Sequence, residues 1–490
     1  MIHHGQLFLR DLTPARSVYH EPGRFGRLFP HLPPFAKDSP ELRAALVELG
    51  KAQGDMDAND PDPTGLDPEI PEQEATIIGA NNSRNPDNPA VDGNGRPLMT
   101  AGMTFLGQFI DHDLTFDTTS SLERQNDPES IANFRTPLLE LDSVYGSGRA
   151  VNAHLYDRDT DRLKFLIDKK WPRDLPRNSQ DIALIADPRN DENVILSQLH
   201  LAFLKFHNAA VDWVGANTSI TDANDVFTEA QKLVRWHYQW IVIYEFLYKT
   251  VGQELVHDIL ENGRKFYSWQ KDPFIPVEFS VAAFRFGHSQ VRPGYVANHG
   301  DAAVNAGARF VAPILNICAG GGRNDPDDLR GGGRAARRFI HWDTFFDLGT
   351  AKLRPNKRID HTLSSLLLRL PFNSPGLPEV NEKNSLAVRN LIRHITFDLP
   401  SGQAVARAMS EQPVTMELLE KNACFRKAKL HESTPLWFYI LEEAAVQQEG
   451  KRLGKVGGRI VAEVILGLLQ GDRQSFLSQD PRWQPIFGPG

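Results

Sequence analysis

Four short segments carry residue types whose spacing suits chemistry. In Leu106-Gly107-Gln108-Phe109-Ile110-Asp111-His112-Asp113, positions 108, 111 and 112 stand at i, i+3 and i+4. A helix there brings an amide, a carboxylate and an imidazole to one face. An imidazole with a pKa of about 6.5 takes and returns a proton near neutrality, so this face suits general acid–base work. A polar network inside a core is the plainer alternative. In Ala186-Asp187-Pro188-Arg189-Asn190-Asp191-Glu192-Asn193, a turn feeds a helix and sets Arg189 three residues before Glu192. Its plainer reading is a solvated helix start whose acids suit the helix dipole. In Phe284-Arg285-Phe286-Gly287-His288, one histidine sits in an apolar run beside a glycine that admits a flat object or a neighbouring backbone. Such a histidine is either a ligand or a satisfied core residue; His200 and His207 are read as structural. From Thr136 to Gly146, oxygen donors at Thr136, Glu140 and Asp142 suit a hard cation such as calcium, which takes about six to eight oxygens. A short strand or loop with alternating polar residues explains them equally well.

Helices must position these groups. Ile195, Leu199, Phe203, Phe206, Ala210 and Trp213 recur at three- and four-residue spacing, the stripe of a buried helix. A second pattern runs from about 225 to 251, with Trp236, Trp240, Ile243 and Leu247. Others cover about 277–290, 380–394, 401–410, 435–447 and 456–469. Strand-like alternation is scarce, so the class is mainly α, with one large helical body starting near Leu98. Residues 1–45 read as an irregular arm. The Asp-, Asn-, Pro- and Gly-rich stretch from about 54 to 97 reads as loop or partial disorder. The division is thus an arm over 1–97 and a catalytic-sized domain over 98–490. Gly320-Gly321-Gly322 and Gly331-Gly332-Gly333 lack the Gly-Lys-Ser/Thr of a phosphate loop, so nucleotide binding has no support.

The 490 residues are 41% hydrophobic and 24% charged, which permits a sizeable core. Fifty-four basic against 62 acidic side chains leave a net charge of −8, which argues against a dedicated nucleic-acid or anionic-membrane binder. Two cysteines, Cys318 and Cys424, build neither a disulfide framework nor a cysteine-rich metal site. The apolar run holding Ile460, Val461, Val464 and Leu466 is broken by Glu463, and no stretch approaches the roughly 20 residues of a membrane span. No secretory leader is visible, so the expected location is cytoplasmic, or exported by a route the sequence does not display.

Taken in order, the segments resemble the animal-type haem peroxidase family of the peroxidase–cyclooxygenase superfamily, over about 97 to 490. The resemblance rests on Gly-Gln-Phe-Ile-Asp-His-Asp, Asp-Ser-Val-Tyr-Gly, Arg189 followed by Glu192, and Phe-Arg-Phe-Gly-His. It also rests on Ser385-Leu386-Ala387-Val388-Arg389-Asn390-Leu391-Ile392-Arg393, followed by Leu399-Pro400-Ser401-Gly402. It implies a helical haem peroxidase domain in which His112 is the distal base toward hydrogen peroxide, Arg189 the distal cation and Gln108 a holder of water or halide. His288 then resembles the proximal iron ligand, and Asn390 the acceptor of its other ring N–H. Arg285 and Arg393 match partners of the haem propionates. Asp111 and Glu192 match carboxylates that form ester links to haem b; Asn193 stands where some members add a sulfonium link from methionine. Asp113, Thr136, Leu138 through its carbonyl, Glu140 and Asp142 resemble the family's Ca2+ site, with Glu140 and Asp142 departing from its usual residues.

The resemblance implies reduction of hydrogen peroxide coupled to oxidation of small aromatic donors or halides, with no nucleic-acid partner. A fatty-acid dioxygenase is the second expectation. Cyclooxygenase-type members use a tyrosine three residues before the proximal histidine, where this chain has Arg285. A non-catalytic haem- and calcium-binding module is the third.

Overall fold

The computed structural model describes residues 25–63, 65–115, 137–269, 272–301, 309–315, 321–322, 324–370 and 384–487. The helices α1 (Pro40–Gly50), α2 (Ala101–Leu114), α3 (Val194–Asn217), α4 (Ala223–Ile241), α5 (Leu386–Thr396), α6 (Leu436–Gln448) and α7 (Lys455–Gly471) carry its core. Strands are short: β1 (Phe25–Gly26) lies parallel to β2 (Ile275–Pro276), and β3 (Gly294–Asn298) antiparallel to β4 (Phe310–Pro313). The mainly α expectation therefore holds. No helix among the described residues is long and apolar enough to cross a membrane.

The stripe read from the sequence becomes the packing of α2 on α3. Phe109 stacks flat on Phe203, with centroids 4.8 Å apart and planes 6° apart, and Tyr238 of α4 meets Phe203 edge-on at 5.7 Å. The other side of α2 is thereby turned away from this aromatic core. The helix α4 runs on through a π-turn, Val242–Leu247, into Tyr248–Val251. A second π-turn, Glu278–Ala282, leads into a 3₁₀ segment, Ala283–Gln290, where the sequence suggested an ordinary helix over 277–290. The 3₁₀ pitch of three residues per turn eclipses Arg285 and His288, which are three apart.

The arm is less irregular than its composition implies. Ser39 caps α1 by accepting from the Leu42 N–H at 3.1 Å, and Pro40 takes the first helical position. Leu42, Ala45, Leu46 and Leu49 are buried, and α1 packs against α5. The Asn-rich stretch that follows holds one short helix, Pro71–Ile77, and is otherwise loop. It is nonetheless woven into the body: the Asn85 amide donates to the Ser289 and Thr362 carbonyls, and Arg292 joins Asp87 at 2.7 Å. Short amide side chains satisfy buried carbonyls that a regular ladder would otherwise meet.

The first described stretch of the arm is pinned by one carboxylate. Glu278, fully buried, accepts from the Leu28 N–H at 3.0 Å and the Phe29 N–H at 3.1 Å. Glu278→Ala should leave two buried donors unmet, at about 1–3 kcal/mol each. Faster hydrogen exchange at Leu28 and Phe29, with protection in α3 unchanged, is the expected reading; parental exchange at both would contradict this pinning.

Candidate functional site

The polar face of α2 and the 3₁₀ segment Ala283–Gln290 border one cavity of about 350 Å³. Gln108, Asp111 and His112 line it from α2, Glu192 and Asn193 from the turn before α3, and Arg285, Gly287 and His288 from the 3₁₀ segment. Apolar side chains, among them Met103, Phe105, Phe246, Phe284, Leu367 and Leu386, make most of the remaining wall. Phe246 belongs to the π-turn after α4, a feature that no apolar periodicity announces. Ala substituted for Gly287 would direct its Cβ into open space, with no protein atom within 4 Å.

Burial dominates the electrostatics. It holds the His112 imidazole down at about 4, reinforced by the nearby Arg189 charge, so this ring is neutral at pH 7. It holds His288 down to about 3, with Arg285 and Arg393 acting the same way. Burial pushes Glu192 up to about 7 against the opposing pull of Arg189. Glu192 is accessible on its cavity side yet enclosed by protein, and there the enclosure sets its charge. The Gln108 amide donates to Glu192 and accepts from Asn193 at 3.4 Å, so Gln108 bridges α2 to the start of α3.

The turn Pro188–Asp191 is held from several sides. Asp187 caps it by accepting from the Arg189 N–H at 2.9 Å. Arg177 grips Asp191 at 2.6 and 2.8 Å and Asp174 at 2.9 and 3.1 Å. The loop at Gly331 donates to the Glu192 carbonyl at 2.9 Å and packs so closely that a Cβ there would lie 1.4 Å from the Asp191 oxygen. The glycine run with no role in phosphate binding is what admits this approach.

Several expected placements change. Arg189 was expected over the cavity, but its guanidinium folds back onto Asp187, 2.7 Å away, and donates to the His112 carbonyl at 2.9 Å. It stands behind His112 and acts on it through charge; it does not line the cavity. Asn390 was expected to accept the His288 N–H. Instead its amide nitrogen faces His288 Nδ1 at 2.9 Å, because Arg285 donates to the Asn390 oxygen at 3.0 Å. Arg285 also donates to the Ser280 carbonyl at 3.0 Å, so its side chain is engaged by protein although it borders the cavity. Arg393 acts on His288 through its charge. Trp437 of α6 donates to the Arg285 carbonyl at 3.1 Å and meets the His288 ring edge-on at 6.4 Å, a support no motif signalled.

The expected Ca2+ site fits less well. Thr136 lies outside the described residues. Asp113 is brought to the 138–143 stretch, but its carboxylate accepts from the Leu141 N–H at 3.1 Å and from Ser143 at 3.3 and 3.2 Å. The Glu140 carbonyl accepts from Arg235 at 2.6 Å. Leu138 stands beside them and Asp142 opens a short buried helix, Asp142–Tyr145. No cluster of three or more His, Cys, Asp or Glu placed for a metal occurs among the described residues. Two N–H groups and the Ser143 hydroxyl already engage the Asp113 carboxylate, and Asp142 beside it is buried.

Haem fits better. Two neutral imidazoles, one buried and one half-buried, apolar walls and the open space over Gly287 suit a flat, largely apolar group with an iron to ligate.

Comparison with known proteins agrees. Residues 120–308 match the animal haem peroxidase family, a span that takes in Arg189, Glu192 and His288 but not α2 or Asn390. Heme peroxidase 2 of Caenorhabditis elegans is 32% identical over 111 residues, 22% of this chain and 16% of that relative's length. Among solved structures, peroxidase A of Dictyostelium discoideum aligns with a TM-score of 0.53 at 16% identity, covering 89% of this chain and 93% of the other. The fatty acid alpha-dioxygenase of Oryza sativa aligns with a TM-score of 0.51 at 15% identity, covering 78% of this chain and 70% of the other. At these identities the structural likeness establishes the fold.

Proposed function

We propose that the chain is a member of the animal haem peroxidase family and that it reduces hydrogen peroxide while oxidising small aromatic donors or halides. The observation that carries this reading is the pair of neutral histidines, His112 buried and His288 half-buried, bordering one cavity from two separate elements. Haem held in this cavity would supply the redox chemistry, and His288 is the residue that would hold its iron. His112 donates from Nδ1 to Asn190, which leaves Nε2 to take a proton from hydrogen peroxide and return it to the departing oxygen. Arg189 favours the neutral form of that base and the negative charge that develops nearby. Gln108 holds Glu192 at the edge of the cavity, and the apolar walls exclude bulk water. Asp111 and Glu192 are the carboxyls available for ester links to the haem. Acid–solvent extraction tests this: haem retained by the parent after turnover with peroxide should be released from a double Asp111→Asn, Glu192→Gln variant.

The proton-accepting form of His112 is present at neutral pH and is lost as pH falls through about 4. The rate of reaction with peroxide should therefore be flat from about pH 8 to 5 and fall below that. A midpoint near 6.5, the ordinary histidine value, would contradict the depression by burial, and a profile unchanged in His112→Ala would remove His112 as the base.

The second reading, fatty-acid dioxygenation, draws on the apolar wall and on the likeness to the Oryza protein. Against it, Arg285 stands three residues before His288 and no tyrosine lines the cavity among the described residues. Rapid mixing of the haem-loaded protein with peroxide separates the two. Soret bleaching reversed by a phenol or bromide supports the peroxidase, whereas no response to peroxide with oxygen uptake on a fatty acid supports the dioxygenase.

A further inference from the structure

We propose that Asn190 and His200 form a positioning pair that fixes which ring nitrogen of His112 carries the proton. The inference rests on the reading of His112 as the proton acceptor. It starts from a chain of hydrogen bonds that crosses three elements. His112 Nδ1 lies 2.9 Å from Asn190 Oδ1, and Asn190 Nδ2 lies 3.0 Å from His200 Nδ1. The three residues are 5%, 0% and 0% exposed.

With the Asn190 oxygen toward His112, the chain has one polarity. An amide oxygen only accepts, so His112 Nδ1 must carry its proton. An amide NH2 only donates, so His200 Nδ1 must offer a lone pair. His112 Nε2 is then the unprotonated nitrogen, as a base requires. Turning the Asn190 amide over would present NH2 to His112, move the ring proton to Nε2 and leave no base toward the cavity. Asn190 has an imidazole nitrogen on either side at about 3 Å and has no intrinsic preference between the two orientations. On this proposal His200 supplies the preference, by offering its Nδ1 as the acceptor.

Both members are held firmly. Asn190 sits in the turn Pro188–Asp191, closed by its own N–H to the Asp187 carbonyl at 3.0 Å and clamped next door by Arg177 on Asp191. His200 is fully buried in α3, with the Phe109 ring edge-on at 6.4 Å. Phe109 is on the core side of the same helix that carries His112, so one stack sets both ends of the chain. A hydrogen bond at one ring nitrogen deciding the state of the other is a general property of histidine sites.

The test uses the full chain, with parent, His112→Ala, Asn190→Ala, Asn190→Asp and His200→Phe. In haem-free protein labelled with 15N-histidine, two-bond 1H–15N correlations report the His112 tautomer, assigned by its loss in His112→Ala. In haem-loaded protein, rapid mixing gives the second-order rate with peroxide. The parent should be the Nδ1–H form. His200→Phe and Asn190→Ala should become tautomer mixtures and react about 10–100-fold more slowly, within the range that acid–base help is worth. Asn190→Asp, whose carboxylate only accepts, should keep the Nδ1–H form and stay within about threefold of the parent. Parental tautomer and rate in both His200→Phe and Asn190→Ala would overturn the pair. If His200→Phe does not fold, equal losses in Asn190→Ala and Asn190→Asp would overturn it, and rescue by Asp would support it. A His112→Ala protein that reacts like the parent sinks the catalytic reading itself, a result distinct from failure of the pair alone.

Discussion

His288→Ala should abolish tight haem binding. The side chain borders the cavity from the 3₁₀ segment and burial keeps its ring neutral; ligation of iron through Nε2 further requires the Asn390 amide to turn its oxygen to Nδ1, the reverse of the orientation set by Arg285. Outer partners of a metal-binding histidine are worth about 10–100-fold in affinity, so removing the ligand itself should exceed that range. Haem titration followed at the Soret band measures the effect. Far-UV circular dichroism should remain parental, since no backbone hydrogen bond depends on this side chain. Added imidazole should restore part of the spectrum by entering the space vacated beside Gly287, where no protein atom crowds. A variant that binds haem with parental affinity and spectrum would remove His288 from the iron.

His112→Ala should show the opposite pattern. Haem should bind and give a Soret band, while the reaction with peroxide slows by about 10²–10⁴-fold, or roughly 2.7–5.4 kcal/mol of barrier. Geometry predicts this split, because the two imidazoles reach the cavity from different elements and only His112 has Nδ1 occupied by an acceptor. Parental peroxide kinetics would demote His112, with Asn190 and His200, to a buried polar network. The two variants read together separate the iron-holding side from the proton-moving side.

The site was partly legible because helical spacing is local information. Gln108, Asp111 and His112 share a face at i, i+3 and i+4 whatever surrounds them. Arg189 and Glu192 were found with them in one neighbourhood, and so were Arg285 and His288. The arm was misjudged at α1, where Ser39-Pro40 resembles loop punctuation as much as it does a capped helix start. The turns that shape 278–290 and 242–247 were also missed. π- and 3₁₀ pitches shift register by a fraction of a turn and leave the apolar pattern almost unchanged.

The amino-acid order by itself determined that the chain is helical, which faces are apolar, and which titratable groups stand at chemically useful spacing. Direction was left to the tertiary structure. Arg189 has Asp187 as its nearest available acid and folds back to it, and Arg285 takes the Asn390 oxygen and so turns the amide nitrogen toward His288. Asn190, Trp437 and His200 acquired partners 78, 152 and 10 residues away. A side chain's rotamer follows the donors and acceptors that burial forces it to satisfy, and those come from whichever elements the core has packed together.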